Sequence, residues 1–189
     1  MPSNAYTNHL LELLRDADEI DQAHTRLRTR RRGRQWGLGG LNRAAVIACV
    51  SAWEAYIEAI LVESLNALRP TGGPAGVWSA LNANARGLIG RFNNPNVQKT
   101  AELFNDAIGL ADVTMGWSWR NRSRTQARSR LDEIVRLRHQ VAHGVNPRPL
   151  VHNTEVRRMP GFFRRLGSCT DRVVRAHLVN TLHILNPWP

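Results

Sequence analysis

The sequence has little of what would mark a secreted or membrane-spanning protein. Two cysteines, Cys49 and Cys169, are too few for a disulfide framework, and a reduced thiol in an apolar helical run such as that around Cys49 is the ordinary case. Polar and charged residues interrupt any apolar segment near the N-terminus, which argues against a signal peptide. The most apolar stretch, residues 44–65, carries three glutamates, so we predict no membrane contact. We expect a soluble, cytoplasmic protein.

Lysine is almost absent, and negative charge is in short supply. Lys99 is the only lysine among 26 basic residues, and 15 acidic residues leave a formal net charge of +11. A general drift towards arginine would explain the ratio of arginine to lysine but not the excess of positive charge. Because the guanidinium fork binds phosphate through two parallel hydrogen bonds, the composition favours a polyanionic partner such as RNA.

Strand patterns are missing. No stretch alternates apolar and polar residues with β-branched enrichment for long enough to form a strand, so we predict an all-α fold. Clusters of glycine and proline divide the chain into helices predicted over residues 7–32, 42–68, 78–92, 96–110, 125–143 and 168–185. The second is apolar nearly all round and should lie at the centre. We interpret residues 1–189 as a single domain, a bundle of about five to six helices.

Several familiar catalytic patterns are also missing. The chain has no GxxxxGK[ST] phosphate loop, and Cys169 has no recognisable catalytic partner. His139 and His143 have the spacing of some zinc ligands, but no acidic residue lies between them and no third ligand is evident. We therefore predict no cofactor and no metal.

The fifth predicted helix carries an arginine where an apolar residue is expected. At about 100° per residue, Arg138 lies near the middle of an apolar stripe formed by Leu131, Ile134, Val135, Val141 and Ala142. A guanidinium there needs an anion or an opening to a cleft. Glu54 and Glu58, four residues apart on the apolar second helix, are the best candidates. We predict an Arg138 contact with one of them, which either serves function or only fixes helix packing.

Two histidines lie close to this arginine at the end of the same helix. His139 and His143 share one face, and Gly144, which follows directly, is a typical left-handed cap residue. Histidine can give or take a proton near neutral pH. The last turn of the helix therefore combines a fixed cation with groups suited to proton transfer.

Residues Arg138, His139 and His143 resemble the Arg-x4–6-His motif of the HEPN superfamily, and Trp53-Glu54-x-Tyr56 resembles its RiboL-PSP and MAE-type branches. The resemblance spans residues 6–185 and implies a helical bundle, often homodimeric, with metal-independent ribonuclease activity of a toxin or phage-defence type. It assigns proton transfer to His143, phosphate stabilisation to Arg138 and an orienting role to His139, and implies 2′-hydroxyl attack that leaves a 2′,3′-cyclic phosphate.

One histidine cannot easily act as both base and acid, which favours two motifs meeting in a homodimeric cleft. A toxin would also imply an antitoxin or regulatory partner. Two alternatives stay open: a non-catalytic HEPN module that binds RNA or acts as a scaffold, and a helical adaptor with another activity.

Three arginine-rich segments are candidates for RNA contact. Bases of single-stranded RNA stack on aromatic rings while arginines hold the backbone, a pattern that fits Trp117, Trp119, Arg120, Arg122 and Arg124. The opposing interpretation is that both tryptophans cover the core and the arginines face water. The other segments are a basic run at the end of the first helix (Arg28, Arg30, Arg31, Arg32, Arg34) and a group flanking Phe162-Phe163 that could line the same cleft from the other side (Arg157, Arg158, Arg164, Arg165).

Overall fold

The computed structural model describes residues 1–29, 38–72, 75–144 and 150–188. Its helices are α1 (Glu12–Leu27), α2 (Gly39–Ala67), α3 (Ala75–Ile89), α4 (Val97–Ile108), α5 (Arg124–Ala142), α6 (Asn153–Val156) and α7 (Met159–Asn180). A π-helical turn (Ala5–Leu11) precedes α1, and a 3-10 turn (Val113–Gly116) lies between α4 and α5. These ranges contain no β-strand, so the predicted all-α bundle is confirmed.

Helix α2 is the central element of the bundle. It packs against α1, α5 and α7 on different sides, which explains why its sequence is apolar nearly all round. By length and composition alone, α2 could cross a membrane, but 56% of its most apolar window is buried inside the bundle. Burial in a protein core therefore accounts for its apolar character.

An aromatic cluster joins α2 to α7 and to the connection before α5, by which we mean residues 109–123. The Trp53 ring centroid lies 5.5 Å from that of Tyr56, 5.9 Å from that of Phe163 and 6.1 Å from that of Trp117. The Tyr56 hydroxyl donates a hydrogen bond to the Gly167 carbonyl at 3.0 Å. The Trp53-Glu54-x-Tyr56 stretch thus places two rings in the core while Glu54 points to another side of the helix.

Helix α7 is longer at its start than the sequence predicted. It begins at Met159 instead of residue 168 and ends at Asn180 instead of residue 185. Pro160 stands in the first turn, where its missing N–H has no helical partner to lose, so it starts the helix and does not break it. The sequence-based prediction that residues between the fifth helix and residue 168 form a loop was wrong from residue 153 onwards, where α6 and the start of α7 lie. Phe162 and Phe163 are therefore helical and buried.

The N-terminal turn packs closely on α7. The Ser3 backbone N–H donates to the buried Asp171 carboxylate at 3.2 Å. A methyl group added at Gly167 would overlap the Leu10 side chain, so glycine is what allows the π-helical turn to approach. These contacts hold the start of the chain against the side of α7 that faces away from the connection before α5.

Candidate active site at the end of helix α5

Capping interactions define both ends of α5. Ser123 and Gln126 form a reciprocal capping box at the start, with the Ser123 N–H donating to the Gln126 side chain at 2.9 Å. His143 is the C-cap, and Gly144 follows in the left-handed conformation with φ +63°. The predicted glycine cap is confirmed. It ends the helix directly after His143.

Arg138 contacts Glu54 across the α2–α5 interface. Its Nη2 lies 3.7 Å from Glu54 Oε2, and the two side chains are 22% and 25% exposed. The predicted interhelix contact is therefore present, with Glu54 as the partner. Glu58 does not pair with Arg138; it lines a separate groove together with His9 and Val62. Because neither Arg138 nor Glu54 is sealed from solvent, an anion could reach the guanidinium from outside.

The two glutamates on α2 lie in an environment that disfavours their charge. Burial raises the pKa of Glu54, and the nearby charge of Arg138 lowers it by less, so the net direction is upward. Burial also raises the pKa of Glu58, and the charge of Glu54 raises it further. Arg138 thus stands beside a carboxylate whose charge is disfavoured by burial, and the second glutamate raises that cost.

The two histidines are close together and accessible. The ring centroids of His139 and His143 are 4.2 Å apart, and both residues are exposed. Beside His139 lies an open polar groove of about 370 Å³ whose lining includes Asp132, Arg136 and Asn96. Asp132 Oδ1 accepts a hydrogen bond from the Val97 backbone N–H at 2.9 Å, which ties the start of α4 to this wall of the groove.

Sequence reasoning missed Asp132 and Arg136. The signal was available, because residues 132, 136, 139 and 143 follow one another at intervals of four and three and so share one side of a helix. The sequence does not reveal that the start of α4 lies opposite these residues and forms the other wall of the groove.

A family model, RiboL-PSP-HEPN, matches residues 6–176 of this chain. The chain belongs to the RiboL-PSP-HEPN family. Membership suggests a nuclease or RNA-binding role. The match includes Arg138 and His143 but does not by itself assign them a role. No curated protein and no solved structure matches the chain.

One predicted RNA-binding residue of this HEPN domain lies in the core. The Trp117 ring is fully buried, and its Nε1 donates a hydrogen bond to Thr170 Oγ1 at 2.9 Å. A ring enclosed in this way cannot stack on a base, so the prediction for Trp117 was wrong. Trp117 directly follows a 3-10 turn whose Gly116 lies so close to Val173 of α7 that an added methyl group would overlap it, so this part of the chain packs on α7.

The other residues of that segment differ in how they are held. Arg124 forms an ion pair with Asp112. Burial alone would raise the pKa of Asp112, but hydrogen bonds from Thr114 and the charge of Arg124 lower it overall. Arg124 is therefore engaged within the HEPN domain. Trp119 and Arg122 are partly exposed and Arg120 is exposed, so these three remain available to a ligand.

The remaining basic residues fall into two groups. Arg30, Arg31, Arg32 and Arg34 lie outside the described residues, and Arg28 is exposed just after α1. In the third arginine group, Arg157 and Arg164 pair with Asp21 and Asp18 of α1.

Within the described part of the chain, no three His, Cys, Asp or Glu side chains come together as metal ligands.

Proposed function

We propose that this HEPN domain is a metal-independent endoribonuclease of a toxin or phage-defence type. The observation that carries the proposal is the last part of α5, which combines the partly buried Arg138 guanidinium, paired with Glu54, and two exposed imidazoles whose ring centroids are 4.2 Å apart. RNA supplies its own nucleophile, the 2′-hydroxyl. Its cleavage needs proton transfer and positive charge on the phosphate, which these side chains can provide without a metal.

In this proposal each residue of the motif has a separate task. His143 transfers a proton, and Arg138, oriented by Glu54, stabilises the negative charge that grows on the phosphate oxygens. His139, 4.2 Å from His143 between ring centroids, orients that ring or assists it. The bond from phosphorus to the 5′-oxygen breaks as the 2′-oxygen attacks, so the products are a 2′,3′-cyclic phosphate and a 5′-hydroxyl.

A homodimer would supply the second proton-transfer group. The side of α2 next to Glu54 is open and carries small or apolar residues, Ala44, Ile47, Ser51 and Ala55, and Ile47 is 40% exposed. Two copies meeting through this side would bring both Arg138–His143 motifs towards one cleft. We expect light scattering to give twice the mass of one 21.3 kDa chain.

The deciding experiment is cleavage of RNA in excess chelator. We expect cleavage by the unaltered protein, 5′-hydroxyl products, and a rate lower by about 10²–10⁴-fold in His143→Ala, with a similar loss in Arg138→Ala. His152→Ala is the matched histidine control, since this residue is exposed but outside the motif. Arg86→Ala is the matched arginine control, because Arg86 also contacts α2, donating to the Asn66 side chain at 3.0 Å, but lies outside the motif.

A second candidate is a non-catalytic HEPN module that binds RNA or acts as a scaffold. The Glu54–Arg138 contact is compatible with this second candidate, because an ion pair between two helices can stabilise their packing without any role in chemistry. A folded protein that binds RNA but never cuts it, with or without a regulatory partner such as an antitoxin, would support this candidate. Equal loss of cleavage in Arg86→Ala and Arg138→Ala would also count against a special role for the motif.

A further inference from the structure

Five arginines on α7 or in the two residues before it fall into two groups by the side of the helix on which they lie. Arg157 and Arg164 pair with Asp21 and Asp18 of α1. Arg158, Arg165 and Arg172 are all exposed, and none of the ion pairs found among residues 1–29, 38–72, 75–144 and 150–188 includes them. We call these three the α7 arginine row. They recur every seven residues, so their Cα atoms lie about 10.5 Å apart along one edge of the helix.

The row runs beside the connection that precedes α5. Trp119 packs on Phe162 with ring centroids 6.0 Å apart, and the Cys169 thiol lies 3.8 Å from the Ser118 carbonyl oxygen. Residues 162 and 169 thus mark the face of α7 that the connection covers. The arginines of the row lie roughly 40–60° round the helix from that face, on its solvent side.

Arg122 extends the positive surface from α7 to α5. Its guanidinium carbon lies 5.9 Å from the centroid of the Trp119 ring and 5.4 Å from that of Phe162. The same residue lines an open polar groove of about 340 Å³ with Thr125, Ser129 and Arg130. Arginine and hydroxyl groups in this arrangement are donors to phosphate oxygens, and the partly exposed Trp119 ring offers a surface for a base.

The part of this surface next to Arg130 lies on the opposite side of α5 from His139. Arg130 and His139 are nine residues apart, or about half a turn beyond two full turns, so they project in opposite directions. The sequence-based expectation was that the basic group around Phe162 lines one cleft with the Trp119 segment from the other side, and Trp119 and Arg122 do lie against Phe162. Any RNA held by the α7 arginine row must extend round α5 to reach His139 and His143.

We infer that the α7 arginine row, with Arg122 and Trp119, is a second RNA-binding surface that holds the backbone of single-stranded RNA away from the cleavage motif. The inference rests on the proposed function only for its choice of RNA as the polyanion. It has a consequence for substrate length: a long RNA uses both surfaces, and an RNA of a few nucleotides uses the motif alone.

The test measures binding without cleavage. A fluorescent 20-nucleotide RNA with 2′-O-methyl groups throughout cannot be cut, because the nucleophile is blocked. We expect the triple variant Arg158→Gln, Arg165→Gln, Arg172→Gln to bind it at least about tenfold more weakly at low salt. Three lost phosphate contacts on a single strand should also reduce the slope of log affinity against log salt by about 2.

The control removes three positive charges elsewhere. Arg26, Arg69 and Arg91 are exposed, and the triple Gln variant at these positions has the same net charge as the row variant. Equal weakening in both variants would reduce the effect to net charge and overturn the inference. So would a row variant that binds RNA like the unaltered protein, even if it lost binding to an acidic protein partner.

Failure of the two proposals can be told apart. If the unaltered protein binds the methylated RNA through the row but never cuts ordinary RNA, the binding surface stands and the nuclease proposal falls. If the row variant cuts a tetranucleotide at the unaltered rate but a long RNA at least about tenfold more slowly, both stand. Equal loss on the two substrates would mean that the row acts through the motif, and would overturn a separate surface.

Discussion

Replacing Glu54 by glutamine tests whether the Glu54–Arg138 ion pair orients Arg138 for catalysis or only holds α2 and α5 together. The substitution keeps the shape of the side chain and removes its charge. Burial raises the pKa of Glu54 more than Arg138 lowers it, so the ionised form is less favourable in the folded protein than in the unfolded chain. We therefore expect Glu54→Gln to leave the free energy of unfolding at pH 7 unchanged or slightly increased.

The upward shift of the Glu54 pKa also determines how the effect of Glu54→Gln on stability depends on pH. A raised folded-state pKa gives a stability penalty at pH values above it, and the penalty disappears below the ordinary glutamate pKa of about 4.3. Any advantage of Glu54→Gln should therefore be largest near neutral pH and absent near pH 3.5.

The magnitude follows from the geometry of the pair. Two unit charges 3.7 Å apart attract by about 4.5 kcal/mol at an effective dielectric constant of about 20. Loss of hydration offsets most of this, and partly exposed pairs retain about 1 kcal/mol or less. Arg138→Gln should be the more harmful change, by about 1–2 kcal/mol, because it leaves Glu54 half-buried beside Glu58 without its cation. For a domain of this size, each kcal/mol corresponds to a Tm change of about 2–4 °C.

Urea unfolding of the two single variants, the double variant and the unaltered protein gives the coupling energy as a double-mutant cycle. We expect a coupling of about 1 kcal/mol and a clear difference between the two single variants. Together with a large loss of RNA cleavage in Glu54→Gln, this result would mean that the glutamate orients Arg138 for chemistry. Equal destabilisation of more than about 2 kcal/mol in both single variants would refute this reasoning. It would mean that the ion pair mainly holds α2 and α5 together.

Three further substitutions test the fold around the site. Gly167→Ala should destabilise by about 1–3 kcal/mol, because its methyl group overlaps Leu10; a Tm equal to that of the unaltered protein would contradict this contact. Trp117→Phe should lose about 1–3 kcal/mol in urea unfolding through a cavity and the lost bond to Thr170, with RNA affinity unchanged, and weaker RNA binding would restore a direct role for this ring. Asp112→Asn should lower the Tm at pH 7, because the pKa of Asp112 is lowered in the folded state. That stability is present above the unfolded pKa and is lost as the pH falls through the folded one, so the difference in Tm should shrink as the pH is lowered below the ordinary aspartate pKa of about 3.9.

Helix periodicity allowed the centre of the candidate site to be predicted from the sequence. An arginine in the middle of an apolar stripe has to find an anion, and the few charged residues of α2 limited the choice to Glu54 and Glu58. The sequence could not decide between them, because the choice depends on how far α5 slides and turns against α2. That displacement is set by packing over the whole interface and not by the residues of either helix alone.

The connection before α5 was harder to interpret because its pattern has two physical meanings. Alternating tryptophan and arginine can form an exposed stacking surface or a ring anchored in the core with charged neighbours. In this chain both occur within three residues: Trp117 is buried and Trp119 is partly exposed. Local composition cannot separate them, since each ring takes its place from a tertiary contact with α7, Trp117 with Thr170 and Trp119 with Phe162.

The aromatic cluster around Trp53 provides an internal optical reporter of tertiary order. Its rings come from α2, α7 and the connection before α5, and the other three lie within about 6 Å of the Trp53 ring, so their fixed asymmetric surroundings should give a strong near-ultraviolet circular dichroism signal. A collapsed state with intact helices but loose packing would lose that signal and keep the far-ultraviolet one. Variants that lose activity can thus be sorted, from one spectrum each, into those that alter chemistry and those that have lost the packed core.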